Sequence, residues 1–247
     1  MTAAAGRDHL QLPRTDDVKH PARLMLHRLR PTFAGIIRRR WNLELRGAEN
    51  VPDAGPVVLA GNHVGFLDGP LMAIVSPRPA HALTKAELYS GPLGAFLVGA
   101  GQIPVRRDEV DPLAVRTVLR VLRDGGVAGL FPESTRGAGE VEHVYSGAAY
   151  LALATGATVV PVSFLGTRLP GGSSNSLPPA GNRMVVTYGS PIGVREQAWP
   201  RRKAEVAELS GRIQQAMLDN CREAERATGM SLPGPIPDRS TSKGDHE

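Results

Sequence analysis

Hydrophobic positions change their spacing along this chain, and the changes mark out its elements. Residues 19–40 set Leu24, Met25, Leu26, Leu29, Phe33, Ile36 and Ile37 among seven Lys and Arg side chains, with no Asp or Glu, ahead of Trp41. Pro31 predicts two short helices here instead of one, because proline lacks an N–H and clashes with the preceding turn. Leu43 and Leu45 flank Glu44 with the period of a half-buried strand. Apolar runs at 56–60, 127–131 and 159–164 are rich in valine and do not alternate, the pattern of strands covered on both faces. Further strands are expected at 80–83, 102–105 and 184–188, and short helices at 68–75 and 147–153. Asp111-Pro112 reads as an N-cap with proline in the first turn, opening a helix that buries Val115, Val118, Leu119 and Leu122. A last helix over 200–226 places Val206, Leu209, Ile213 and Met217 on one face. Strands alternating with helices predict an α/β fold, a mostly parallel central sheet flanked by helices with a basic amphipathic helical segment in front of it. The expected organisation is a flexible lead (1–18), the basic segment (19–40), one α/β domain (41–228) and a disordered tail (229–247).

Composition narrows the partners. The 247 residues are 41% hydrophobic and 21% charged, enough for one buried core. A net charge of +5 and a pI of about 9.8 point to an anionic partner. Aromatic content of 4% leaves few platforms for stacking on single-stranded nucleic acid. The basic charge of residues 19–40 sits beside apolar side chains, which favours an anionic membrane surface over nucleic acid. The same pattern also suits an ordinary helix covering the core. Arg116, Arg120 and Arg123 share another helical face, either solvated or facing lipid or phosphate. A single cysteine, Cys221, excludes an intrachain disulfide and a cysteine metal cluster. The first residues lack the apolar core of a signal peptide, and no apolar run reaches the roughly 18 residues of a spanning helix. The expectation is a peripheral protein on the cytoplasmic face of the cell membrane.

Four polar motifs stand at the ends of apolar runs. In Asn62-His63-Val64-Gly65-Phe66-Leu67-Asp68 a histidine and a carboxylate supply a general base and a group to orient it. On one continuous helix they would point roughly 140° apart. They meet only if His63 lies in the turn before a helix and Asp68 at its start; otherwise Asp68 is a helix cap and His63 a loop residue. His-x4-Asp arises by chance about 0.3 times in such a composition, so the spacing alone decides little. Gly101-Gln102-Ile103-Pro104-Val105-Arg106-Arg107 ends a strand in two cations, suited to a phosphate or to a surface ion pair with Asp108 or Glu109. Phe131-Pro132-Glu133-Ser134-Thr135-Arg136 leaves a buried strand for a polar turn, where ligands of open α/β sheets gather. The pattern Phe-Pro-Glu-x-Thr-Arg is expected by chance about 10⁻⁴ times. Val160-Pro161-Val162 puts proline inside an apolar strand, which implies an edge or a kink.

With these residues in this order, the chain resembles the glycerolipid acyltransferase family over roughly residues 40–190. The resemblance implies acyl transfer from acyl-CoA or acyl carrier protein to a glycerolipid hydroxyl, typified by 1-acylglycerol-3-phosphate, with no metal or cofactor. It implies that His63 is the general base and Asp68 its orienter. Arg107, Glu133, Ser134, Thr135 and Arg136 would line the acceptor's polar head, and Val160, Pro161 and Val162 would lie beside the reacting acyl group. Two positions depart from the family pattern. Ser134 stands where relatives usually carry glycine, and Val144-Tyr145-Ser146-Gly147 lacks the lysine that many have before the next helix. These leave room for a lysophospholipid or glycolipid acceptor, and a catalytically weak lipid-binding protein is a further reading.

Overall fold

The structure, a computed structural model, describes residues 12–107 and 110–237. The elements run α1 (Leu24–Arg28), α2 (Arg30–Arg40), β1 (Asn42–Arg46), β2 (Val57–Gly61), α3 (Asp68–Val75), β3 (Ala80–Lys85), α4 (Gly91–Gly99), β4 (Ile103–Val105), α5 (Pro112–Arg123), β5 (Val127–Leu130), α6 (Gly147–Thr155), β6 (Thr158–Leu165), β7 (Arg183–Tyr188) and α7 (Lys203–Thr228). One seven-stranded sheet has the order β1-β7-β6-β2-β5-β3-β4. All neighbouring pairs are parallel except β6–β7. Helices cover both faces, the expected α/β architecture.

The valine-rich runs are buried on both sides because each strand alternates between two cores. In β2, Val57 and Leu59 join α3 and Ile37 of α2, while Val58 and Ala60 face α5, α6 and α7. The helical break falls at Leu29, ahead of Pro31. Asp111 caps α5 by accepting the Ala114 N–H at 3.0 Å.

Four features differ from the sequence reading. Helix α4 was not expected, because GPLGAFLVG is apolar all round and carries no helical period. Strand β6 is interior, not an edge. Pro161 is tolerated because the β6–β7 pairing begins only at Val162; its carbonyl still accepts the Gly189 N–H at 2.8 Å. Residues 12–18 are packed against the domain, with Thr15 and Val18 buried. Arg123 donates to the Pro13 carbonyl at 2.7 Å, Arg201 to the Leu12 carbonyl at 2.8 Å, and Arg116 pairs with Asp17. Arg116 and Arg123 of α5 therefore tie down the lead and Arg120 pairs with Asp124 of its own helix end at 3.1 Å, instead of forming a free basic face. Residues 229–237 are packed too: Met230 and Leu232 close over Leu165, Val185 and Ala224. The rest of the expected lead and tail, and Asp108 and Glu109, lie outside the described residues.

Candidate active site

The site forms where β2 ends. Asn62 prolongs the β2–β6 ladder past Gly61: its N–H donates to the Val162 carbonyl at 3.2 Å, and its side-chain oxygen accepts the Phe164 N–H at 2.8 Å. The chain then turns through His63, Val64 and Gly65. Gly65 packs so closely on Thr167 that a Cβ would lie 2.8 Å from the Thr167 carbonyl oxygen, so no side chain fits there.

Asp68 opens α3 but does not cap it; Leu67 is the N-cap residue. The Asp68 side chain reaches back into the turn instead. Its Oδ2 accepts from His63 Nδ1 at 3.0 Å, from the Val64 N–H at 2.7 Å and from the Gly65 N–H at 2.8 Å. Its Oδ1 accepts the Thr167 hydroxyl at 2.5 Å. Asp68 is fully buried, so this single carboxylate both organises the turn and fixes the imidazole. With Nδ1–H donating to Asp68, Nε2 is left as the basic nitrogen of His63.

The Phe131–Arg136 motif wraps the same histidine. The Phe131 ring stacks on the imidazole with centroids 4.1 Å apart and planes 20° apart. Glu133 Oε1 accepts the His63 backbone N–H at 3.0 Å, and the His63 carbonyl accepts the Gly137 N–H at 2.9 Å. Glu133 thus grips the backbone of the His63 turn, a contact that its sequence position did not reveal. Ser134 adopts a left-handed φ of 61°, the conformation that makes glycine the easier residue here. Its carbonyl accepts from Arg107 at 2.6 Å, which joins two of the sequence motifs. Thr135 is exposed at the tip of the turn.

Arg136 lies over the Phe66 ring, 5.6 Å from its centroid, and donates to Asn175 Oδ1 at 2.7 Å and the Ser174 carbonyl at 3.3 Å. Its buried Nε has no hydrogen-bond partner among the described residues. Burial lowers the Arg136 pKa, Asp68 opposes that, and nearby Arg107 adds to it. His63, Asp68, Arg107, Glu133, Ser134 and Arg136 therefore converge. Val160, Pro161 and Val162 do not reach the open site: all three are buried, and Val160 and Val162 lie in the core. They support it from below through the Val162–Asn62 hydrogen bond.

Among the described residues, no three His, Cys, Asp or Glu side chains gather as a metal-ligand set. Cys221 is buried, its pKa pushed up to about 11 by desolvation, which makes it a poor nucleophile. A cavity of about 490 Å³ lies beside β4 and α5, lined by Lys19, Ile103, Arg106, Leu113 and Arg116 among others, and no residue of the His63 turn lines it.

An acyltransferase family model matches residues 42–165, from β1 to the end of β6. The chain belongs to this family. Among curated relatives, the 1-acyl-sn-glycerol-3-phosphate acyltransferase of Bacillus subtilis is 26% identical over 74% of this chain and 90% of its own length. The protein of the same name from Borreliella burgdorferi is 32% identical over 49% of this chain and 50% of its own. The fold matches a crystal structure of the 1-acyl-sn-glycerophosphate (LPA) acyltransferase from Thermotoga maritima, with a TM-score of 0.52, 21% identity and 78% of each chain covered. The acyltransferase match contains the His63 turn and the Phe131–Arg136 motif but stops short of Thr167 and Arg168. Sequence reading missed both of those, and nothing in their spacing marks them.

Glu133 gives the acyltransferase a pH signature. Burial, with Asp68 adding to it, raises its carboxyl from the usual 4.5 to about 7, against the opposing hydrogen bond from His63. A carboxyl raised in the folded state holds its proton where the unfolded chain has lost it. Its contribution to stability is therefore fully present below about pH 4.5 and is lost as pH rises through about 7. Glu133→Gln should flatten the melting temperature between about pH 5 and pH 8 relative to wild type. Parallel curves from thermal melts of the two proteins would show that Glu133 titrates normally.

Proposed function

We propose that this acyltransferase moves a fatty acyl group from an acyl thioester, carried on CoA or acyl carrier protein, to the free hydroxyl of 1-acylglycerol-3-phosphate. The product is phosphatidic acid for phospholipid biosynthesis. The observation that carries the reading is the His63–Asp68 contact at 3.0 Å, set beside two arginines at the mouth of one turn. The names of the relatives support the acceptor.

In this reading His63 Nε2 takes the proton of the acceptor hydroxyl as its oxygen attacks the thioester carbonyl carbon. Asp68 holds the imidazole in one tautomer and stabilises the imidazolium that forms. Collapse of the tetrahedral intermediate breaks the C–S bond, and the imidazolium returns its proton to the leaving thiolate. The acceptor alcohol is itself the nucleophile, so no serine or cysteine of the protein is acylated. Arg136 and Arg107 face the acceptor phosphate, Arg136 with a donor still unpaired among the described residues. Glu133 and the Val160–Val162 strand brace the turn and do not touch substrate. The 144–147 run, with Tyr145 exposed and no lysine, favours as a second reading a lysophospholipid or glycolipid with fewer phosphate charges.

The test is thiol release from palmitoyl- and oleoyl-CoA across a panel of 1-acylglycerol-3-phosphate, lysophospholipids and a glycolipid. Lysophosphatidate should be the preferred acceptor. His63→Ala should lower kcat by at least about 10²-fold in a folded protein, the typical value of general base assistance. Arg136→Ala should raise the acceptor KM by about tenfold or more with a smaller change in kcat. Wild-type turnover in folded His63→Ala would refute the mechanism, and preference for an uncharged acceptor would refute the substrate.

The acceptor also dictates where the protein works. None of the helices among the described residues is long and apolar enough to cross a membrane. Helices α1 and α2 bury Leu26, Ala34 and Ile37 but expose Leu24, Leu29 and Ile36. Helix α4 packs beside them, with Phe33 and Phe96 edge to face at 5.7 Å, and adds exposed Leu93 and Val98. Exposed Arg28, Arg38, Arg39 and Arg40 accompany this apolar surface. We assign it to an anionic membrane at the cytoplasmic face. Vesicles with anionic lipid should carry the protein on flotation, high salt should weaken the binding, and Leu29→Glu with Val98→Glu should release most of it. Unchanged flotation of that double variant would place the membrane contact elsewhere.

A further inference from the structure

Asp68 is held from two sides. The turn supplies His63 and two backbone amides to Oδ2, and a distant segment supplies one hydroxyl to Oδ1. That hydroxyl belongs to Thr167, 99 positions along the chain and fully buried. A buried carboxylate needs its lone pairs satisfied, and a hydrogen bond to a charged acceptor is stronger than one between neutral groups. Thr167 therefore fixes the plane of the carboxylate, and that plane aims the other oxygen at His63.

Thr167 is itself rigidly placed. Its carbonyl abuts Gly65, and the residue after it is Arg168, fully buried. The Arg168 guanidinium donates to four carbonyls: Val64 at 2.7 Å, Gly137 at 3.0 Å, Gly172 at 3.0 Å and Gly234 at 2.5 Å. It joins the catalytic turn, the loop after the Phe131–Arg136 motif, the 171–176 loop that holds Arg136, and the segment after α7. The Thr167 hydroxyl is thus delivered by a frame with little freedom to move.

We propose that Thr167 is a positioning residue for acyl transfer, acting through the hydrogen bond from its hydroxyl to Asp68 Oδ1. The proposal rests on the function assigned above, in which His63 is the base. Thr167 touches neither substrate. Its loss leaves binding intact and lets the carboxylate rotate away from His63, so kcat responds and KM does not. Serine at this position keeps the hydroxyl, whereas valine keeps the shape without it.

The experiment compares wild type, Thr167→Val and Thr167→Ser at full length. Steady-state acyl transfer is paired with proton NMR of the downfield His63 Nδ1–H, identified by its loss in His63→Ala. Thr167→Val should lower kcat at least about tenfold with both KM values within about twofold, and Thr167→Ser should restore kcat to within about threefold of wild type. The Nδ1–H resonance should move or broaden in Thr167→Val and return in Thr167→Ser. Wild-type kcat in Thr167→Val overturns the proposal. Equal damage in both variants, with KM raised, overturns it as well, because a merely structural role predicts that pattern. If wild type transfers no acyl group to any acceptor, the assigned function fails, and the resonance alone then decides: unchanged in Thr167→Val, it overturns the positioning role; shifted, it sustains it.

Discussion

The site depends on one buried carboxylate. Asp68 accepts four hydrogen bonds, three from a turn of consecutive residues and one from Thr167, just past the end of neighbouring β6. A buried charge persists only when it is this well satisfied, so the turn cannot relax without exposing or neutralising Asp68. The same bonds that make the charge tolerable point His63 Nδ1–H at it. Local fold stability and the His63 tautomer are therefore one constraint, and the loops around the turn are arranged to preserve it.

The sheet explains why this constraint can be met. Strands β6, β2 and β5 lie side by side and parallel, so their carboxyl ends bring Thr167-Arg168, the His63 turn and the Phe131–Arg136 motif together at one end of the sheet. Asn62 carries the β2–β6 ladder one residue further and fixes where the turn starts. From the neighbouring strand end, Phe131 and Glu133 hold the imidazole face and the backbone of His63. The cations then stand at the outer side of the site, Arg107 on the Ser134 carbonyl and Arg136 above Phe66. Asp68 is fully buried and held by the turn, while Arg107 and Arg136 stand on turns and loops. In the proposed reading, the chemistry is thus anchored separately from acceptor recognition.

Much of this was legible in the chain. The valine runs announced β2, β5 and β6 because strands buried on both faces need no polar alternation. The Asp111-Pro112 cap announced α5, and the first three motifs pointed to His63, Asp68, Arg107 and Arg136, which the fold brings together. What escaped depends on tertiary contact. Helix α4 has no polar face to mark its period. Pro161 suggested an edge or a kinked strand, and it occupies an interior strand where the β7 ladder has not begun. Glu133 looked like a ligand to substrate, yet its carboxylate meets a backbone amide 70 positions away. Thr167 and Arg168 carry no spacing signal because their partners are carbonyls and a carboxylate brought near only by folding. Arg168 even reads as a surface residue by type, although four carbonyls make its burial possible.

The claim that Asp68 organises both the turn and the base is tested most directly by Asp68→Asn, which removes the charge while keeping the shape. Steady-state kinetics of the folded variant should show kcat lowered by at least about 10²-fold with the acceptor KM within about threefold of wild type. Wild-type kcat in a folded Asp68→Asn protein would contradict the account.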